Sequence, residues 1–160
     1  MERGYGVLKG EVLAGFLEGE AAKGLELLAG GPAADILDVE LPTGPVSVKI
    51  TAACTKSRLR FQGDVPAALE LTCKVEARLS EYRSRPESEA LERLRAELEG
   101  RERERIEAAL EQLRAWGADC TGLGARAAMA HPAQWQAVRA DWPEWFSRVP
   151  VEIRVEAKIL

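Results

Sequence analysis

Apolar and polar positions first organise themselves in two short runs. YGVLK at 5–9 and VLAGFL at 12–17 are split by Gly10-Glu11, which predicts a hairpin-like start. The next stretch, EGEAAKGLELLAGG, is acidic at its front and is followed by Gly30-Gly31-Pro32, the punctuation of a helix with a C-terminal stop. A strand is expected at about 35–41 (DILDVEL), closed by the turn Pro42-Thr43-Gly44-Pro45. A period of two then runs through a long hairpin from VSVKITAA to Phe61, around Gly63-Asp64-Val65-Pro66, and back along ALELTCKVEARLSEY. Val46, Val48, Ile50, Ala52 and Cys54 share one face until the odd-numbered Leu59 and Phe61 take over. That slip predicts a bulge or bend near 55–58. On the return arm Glu70, Thr72, Lys74, Glu76 and Arg78 point outward, so one side of this sheet is wet and the other packed.

From Pro86 the period becomes helical. Leu91, Leu94, Leu98, Ile106, Leu110 and Leu113 make one apolar stripe, interrupted at GRERER, where Glu102 falls on the face that should be apolar. The expectation is a solvated stretch of helix overhanging the core, with Gly100 as a candidate kink. Glu99, Glu102, Glu104 and Glu107 offset the arginines there, which argues against a nucleic-acid patch. The closing VPVEIRVEAKIL alternates Val149, Val151, Ile153, Val155, Ala157 and Ile159 inward, and the tail is expected to fold back onto the opening hairpin. The order β-β-α-β-β-β-α-α-α-β predicts an α+β fold. Its elements are a single largely antiparallel or mixed sheet, one long helix and several shorter helices packed on one face, and a C-terminal strand returning to the sheet.

The glycine-rich WGADCTGLG fits neither a dinucleotide fingerprint nor a P-loop, because a helix precedes it and no Lys follows. Gly117 is read as ending that helix in left-handed geometry, with Asp119 or Thr121 capping the next one, LGARAAMA. His131 before Pro132 reads as the start of another helix, and Asp141 with Glu144 as a capping arrangement for a last short one. Trp135, Trp142, Trp145 and Phe146 crowd into one segment. Left exposed, they would create an apolar patch of roughly 600–1,000 Å², more than single soluble domains tolerate. They are therefore core against the sheet, or anchors of a partner surface.

Composition removes several function classes. A length of 160 residues is that of one domain, 1–160, and a net charge of -4 gives no electrostatic reason to approach nucleic acid or anionic lipid. No apolar run is long enough to span a bilayer and no signal peptide is visible. The abrupt start fits a cytoplasmic protein or a piece of a longer one. Cys54, Cys73 and Cys120 form no CxxC pair and the single histidine has no partner at ligand spacing, so neither a metal nor a cofactor is expected. Cys54 and Cys73 read as buried strand residues, with a cross-strand disulfide as the alternative. No Ser lies in a G-x-S-x-G elbow, and no catalytic residue is assigned.

Two blocks carry a resemblance: GVLKGEVLAGFLEGEAAKGLELLAG at the front and WGADCTGLGARAAMAHPAQWQAVRADWPEWFSRVPVEIRVEAKIL at the back. The chain resembles the C-terminal domain of the Ger(x)C family of spore germination proteins, the C subunits of germinant receptors. The family pattern corresponds here to Asp119, Gly122, Gly124, His131-Pro132, Trp135, Trp142, Phe146 and the strand at 149–159. The middle, 35–116, matches only in its order of elements. The resemblance implies a non-enzymatic interaction domain, the C-terminal fragment of a longer lipoprotein. That lipoprotein would be anchored on the outer face of the spore inner membrane beside the receptor's A and B subunits. It transfers no catalytic or ligand-binding residue. A reading from another class is a small-molecule-binding module with its ligand held between the sheet and the aromatic segment.

Overall fold

In the computed structural model, residues 4–31 and 35–160 are described. Met1–Arg3 and Pro32, read above as the chain start and part of a helix stop, lie outside the described residues. The chain runs β1 (Tyr5–Lys9), β2 (Val12–Leu17), α1 (Gly19–Leu28), β3 (Ile36–Leu41), β4 (Gly44–Gln62), β5 (Val65–Glu81) and α2 (Ser88–Trp116). Three short helices follow, α3 (Leu123–Ala127), α4 (Pro132–Val138) and α5 (Trp142–Arg148), the last two joined by a 3-10 turn, and β6 (Val151–Ile159) closes the chain.

Four strands form one mixed sheet in the order β3-β4-β5-β6. β3, β4 and β5 are antiparallel neighbours, and β6 lies parallel to β5, from Leu69 opposite Val151 to Ala77 opposite Ile159. The α+β architecture and the returning last strand are those expected. What differs is the place of return. β1 and β2 make a separate two-stranded ladder, so the closing strand joins β5 and not the opening hairpin. Helix α1 stops where its glycines predict: Gly30 takes a φ of +86°, and the Gly31 N–H donates to the Glu26 carbonyl at 2.9 Å.

The bulge in β4 sits earlier than expected. Ile50 pairs with Ala77 and Ala52 with Glu76, leaving Thr51 unpaired, its hydroxyl donating to the Glu76 carbonyl at 3.2 Å. One extra residue exchanges the two faces of everything after it. Ala52 and Cys54 therefore turn to the wet side, and Thr55, Leu59 and, in part, Ala53, Ser57 and Phe61 turn to the core. The reading of Cys54 as a buried residue is corrected: Cys54 is exposed, Cys73 buried, and both are free thiols on opposite faces. The small apolar run Ala52-Ala53-Cys54 satisfies either parity, so the pattern alone could not fix the slip. The new parity has a use. The Thr55 hydroxyl donates to the Leu27 carbonyl at 2.8 Å, a second bond to a C-terminal carbonyl of α1 that also accepts the Gly30 N–H at 3.0 Å.

The core lies between the inner face of the sheet (Val46, Val48, Ile50, Leu69, Leu71, Cys73, Val75) and the α2 stripe of Leu94, Leu98, Ile106, Leu110 and Leu113. α2 runs unbroken through Gly100, and the expectation of a solvated overhang fails: Glu102 and Arg105 are both 0% exposed. The cause is α1, which crosses α2 at this level. It comes so close at Gly24 that a Cβ there would stand 1.9 Å from the Arg105 carbonyl oxygen. A charged pair at stripe positions is buried because the neighbouring helix covers it.

Candidate functional site

The residues singled out by the tail pattern meet at the C-terminal end of α2. Gly117 ends that helix with a φ of +62°, and Asp119 follows two residues on. One carboxylate oxygen of Asp119 accepts the Leu123 N–H at 2.8 Å. The other accepts the Gly124 N–H at 2.7 Å and the Trp142 indole N–H at 2.9 Å. Asp119 thus satisfies the free amides at the start of α3 and ties that helix to α5. Of the two capping candidates, Thr121 makes no such bond; its hydroxyl oxygen is buried without a partner among the described residues. Gly122, at φ +68°, turns the chain into α3, and Gly124 lies flat under the indole, where a Cβ would come within 2.3 Å of the ring.

The four aromatics divide. Trp142 and Phe146 are buried, with ring centroids 6.0 Å apart, and half-buried Trp135 meets Trp142 edge-on at 5.4 Å. Trp145 is half-buried and turns away from that stack, carrying the Arg148 guanidinium 5.1 Å from its ring centroid. Pro132 is exposed in the first turn of α4, and His131 packs its ring edge-on against Phe61 rather than beside a nucleophile. The capping arrangement expected of Asp141 and Glu144 is not formed: α5 has no side-chain cap. Pro143, in its first turn, has no N–H for Asp141 to accept. Arg114 secures the other end of α5, its Nε donating to the Phe146 carbonyl at 2.9 Å while the Ser147 hydroxyl donates to the Arg114 carbonyl at 2.7 Å.

A second polar cluster lies where α1 crosses α2. Arg105 donates from Nε to Glu20 at 2.7 Å, from Nη1 to Glu102 at 2.7 Å and from Nη2 to Asp35. Lys23, at 3.2 Å, and Arg101 also reach Asp35. Three carboxylates thus face three cations. Burial alone would raise the Asp35 carboxyl, but hydrogen bonds from Arg105, the Ile36 amide and Lys23 outweigh it and hold it at about 2. The hydrogen bond from Arg105 lowers Glu20. Glu102 goes the other way: burial raises it despite the attraction of Arg105, and its Oε2 has no partner among the described residues. Sequence reasoning missed this cluster. The signal was present as two charges, three apart, standing inside an otherwise apolar stripe.

Neither cluster is arranged for bond-making chemistry. The arginines and Lys23 fill the positions a metal would need, and among the described residues no group of His, Cys, Asp and Glu could hold a metal ion. Burial pushes the Cys73 thiol up, away from reactive thiolate. Two of the open grooves among the described residues set α2 against the C-terminal part of the chain. One of about 620 Å³ lies between α2 and β6, where Glu99 accepts the Ala157 N–H at 3.0 Å and so occupies part of the free edge of the sheet. The other, about 440 Å³, runs between Lys9, Trp116 and α5.

A protein-family model described as spore germination B3/GerAC like, C-terminal, matches residues 3–160. Among solved structures, the crystal structure of the GerBC protein is similar, with a TM-score of 0.76 and 21% identity over 92% of this chain. The chain spans 47% of that protein, about half its length. At this identity the likeness concerns the fold. No curated protein sequence matches the chain.

Proposed function

The chain belongs to the spore germination family described as B3/GerAC like, C-terminal, and from that premise we propose that it is the C-terminal domain of a lipid-anchored germinant-receptor C subunit. Membership carries a role in spore germination and germinant-receptor function, and the family is not one of enzymes. The finer reading is that the domain acts by contact with the receptor's A and B subunits at the outer face of the spore inner membrane. One observation supports it: the family match takes in residues 3–160, nearly the whole of the given chain. Among the described residues no helix is long and apolar enough to cross a membrane, so the proposal assigns attachment to the lipid anchor of the longer parent.

The test is made on the parent protein in spores. A tagged parent should co-purify with A and B subunits from spore membranes, and deleting this domain should slow nutrient-triggered germination at least severalfold. Recovery of the parent free of both subunits, with germination of the deletion strain unchanged, removes the reading.

A further inference from the structure

The opening hairpin carries an apolar face that nothing among the described residues covers. Leu8 is 56% exposed, Leu13 49% and Phe16 64%. Register explains the concentration. Gly6 stands opposite Phe16 and Leu8 opposite Leu13, and a bulge between these pairs leaves Ala14 as the extra residue. Without that bulge Leu13 would alternate inward; with it, Leu8, Leu13 and Phe16 share the outer side. Leu13 and Phe16 lean over Gly6, where a Cβ would lie 3.4 and 3.5 Å from their carbons. The inner side is fixed to the body of the domain: Val7 and Leu17 are buried, and the Trp116 ring rests on Gly15. The face is a firm platform rather than a flap.

Three occupants are conceivable, and their physics differs. The platform offers on the order of 400 Å² of apolar surface. A pair of copies meeting through it would bury about 800 Å², short of the roughly 1,000 Å² of a specific interface. A bilayer is disfavoured by charge: across the hairpin and the residue after it Lys9 is outnumbered by Glu11 and Glu18, on a chain whose net charge is -4. A neighbour joined by the same polypeptide needs far less surface, because a short tether holds it at about millimolar effective concentration. The family region is by description C-terminal and its match begins at residue 3, two residues before β1. Whatever precedes that region in a family member is joined to it within two residues of β1.

We propose that the outer face of the β1–β2 hairpin, Leu8, Leu13 and Phe16 over Gly6, seats the domain that precedes this one in the parent protein. This rests on the reading above that a longer parent exists, and the experiment separates the two. Immunoblotting of spore membranes with antibody against this chain sizes the native protein first. A band at 17.5 kDa removes the parent and the proposal together. With a longer parent, hydrogen–deuterium exchange compares the hairpin amides in the parent and in the 160-residue chain. The expected result is exchange at least tenfold slower in the parent, restored to the faster rate by Phe16→Glu or Leu8→Glu. Neither variant should shift the melting temperature of the 160-residue chain by more than a few degrees. Equal exchange in both proteins overturns the proposal while leaving the parent intact. So does protection that appears only with phosphatidylglycerol–phosphatidylethanolamine vesicles, or only on concentrating the isolated chain, which would assign the platform to lipid or to a second copy.

Discussion

Two joints fasten shorter helices to α2, and they are built on opposite electrostatic plans. At the C-terminal end, Asp119 receives two backbone amides and an indole N–H, all neutral donors. At the crossing of α1, Arg105 is wholly enclosed and depends on three carboxylates, one of which, Glu102, is itself enclosed with an oxygen unpaired. The first plan tolerates the loss of one partner, because the other two donors remain. The second does not, because removing either member of the enclosed pair strands a charge away from water. Equal numbers of bonds therefore do not mean equal fragility.

The sharpest way to break the comparison is to truncate Arg105. Arg105→Met keeps an unbranched apolar stem and removes the charge, leaving Glu102 buried alone. The expected loss is about 3–5 kcal/mol, read as a lower urea midpoint at unchanged slope. Adding Glu102→Leu should return most of that loss, since a buried ion pair replaced by apolar residues of similar volume is near neutral. A double variant no more stable than Arg105→Met would mean that the volume of the side chain, rather than its charge, is what the arginine supplies. At the aromatic joint, Trp142→Phe removes the indole N–H but leaves Asp119 its two amides. A loss of about 1.5–3 kcal/mol is expected, the range for a hydrogen bond to a charged group. A loss equal to that of Arg105→Met would erase the distinction between the joints.

The two joints were unequally visible in the sequence. Around Asp119 the reasoning was local: a glycine that ends a helix, a capping carboxylate a few residues on, and a helix beginning beyond it. Such signals act over one turn and survive without knowledge of the tertiary structure. That the carboxylate also receives the Trp142 N–H, and that Gly124 makes room for the indole, needed the fold, because 23 residues separate donor from acceptor. The ionic joint fails the local test altogether. Glu102 and Arg105 look solvated in isolation, and only α1, joined to α2 by no local rule, encloses them. Their position within the stripe was the sole hint, and it was outweighed by the usual preference of charges for water. The bulge at Thr51 was missed for a different reason: three small residues beyond it fit either face. The sheet, the long helix and the last strand were legible because their periods are long and regular. The separate status of the hairpin was not, because alternation tells which face is apolar and not which strand lies alongside.

The smallest expected effect is also the most discriminating, because the carboxylates at the ionic joint respond to pH in opposite senses. Asp35 is held at about 2, below its ordinary 3.8. A group whose value falls on folding adds stability that is complete above its unfolded value and is lost as pH falls through the folded one. Asp35→Asn should therefore cost most near neutrality and converge on wild type as pH falls toward 2. Glu102 is raised above its ordinary 4.5. Its contribution is complete below that value and is lost as pH rises through the folded one. Glu102→Gln keeps an oxygen to accept the Arg105 N–H and cannot ionise, so it should gain on wild type steadily as pH rises from 4.5. Denaturation midpoints from pH 2.5 to 8 check both slopes. If Glu102→Gln instead loses the same amount at every pH, the folded protein leaves the Glu102 equilibrium where the unfolded chain has it. The attraction of Arg105 would then balance the cost of enclosure, and the ionic joint would be as forgiving as the aromatic one.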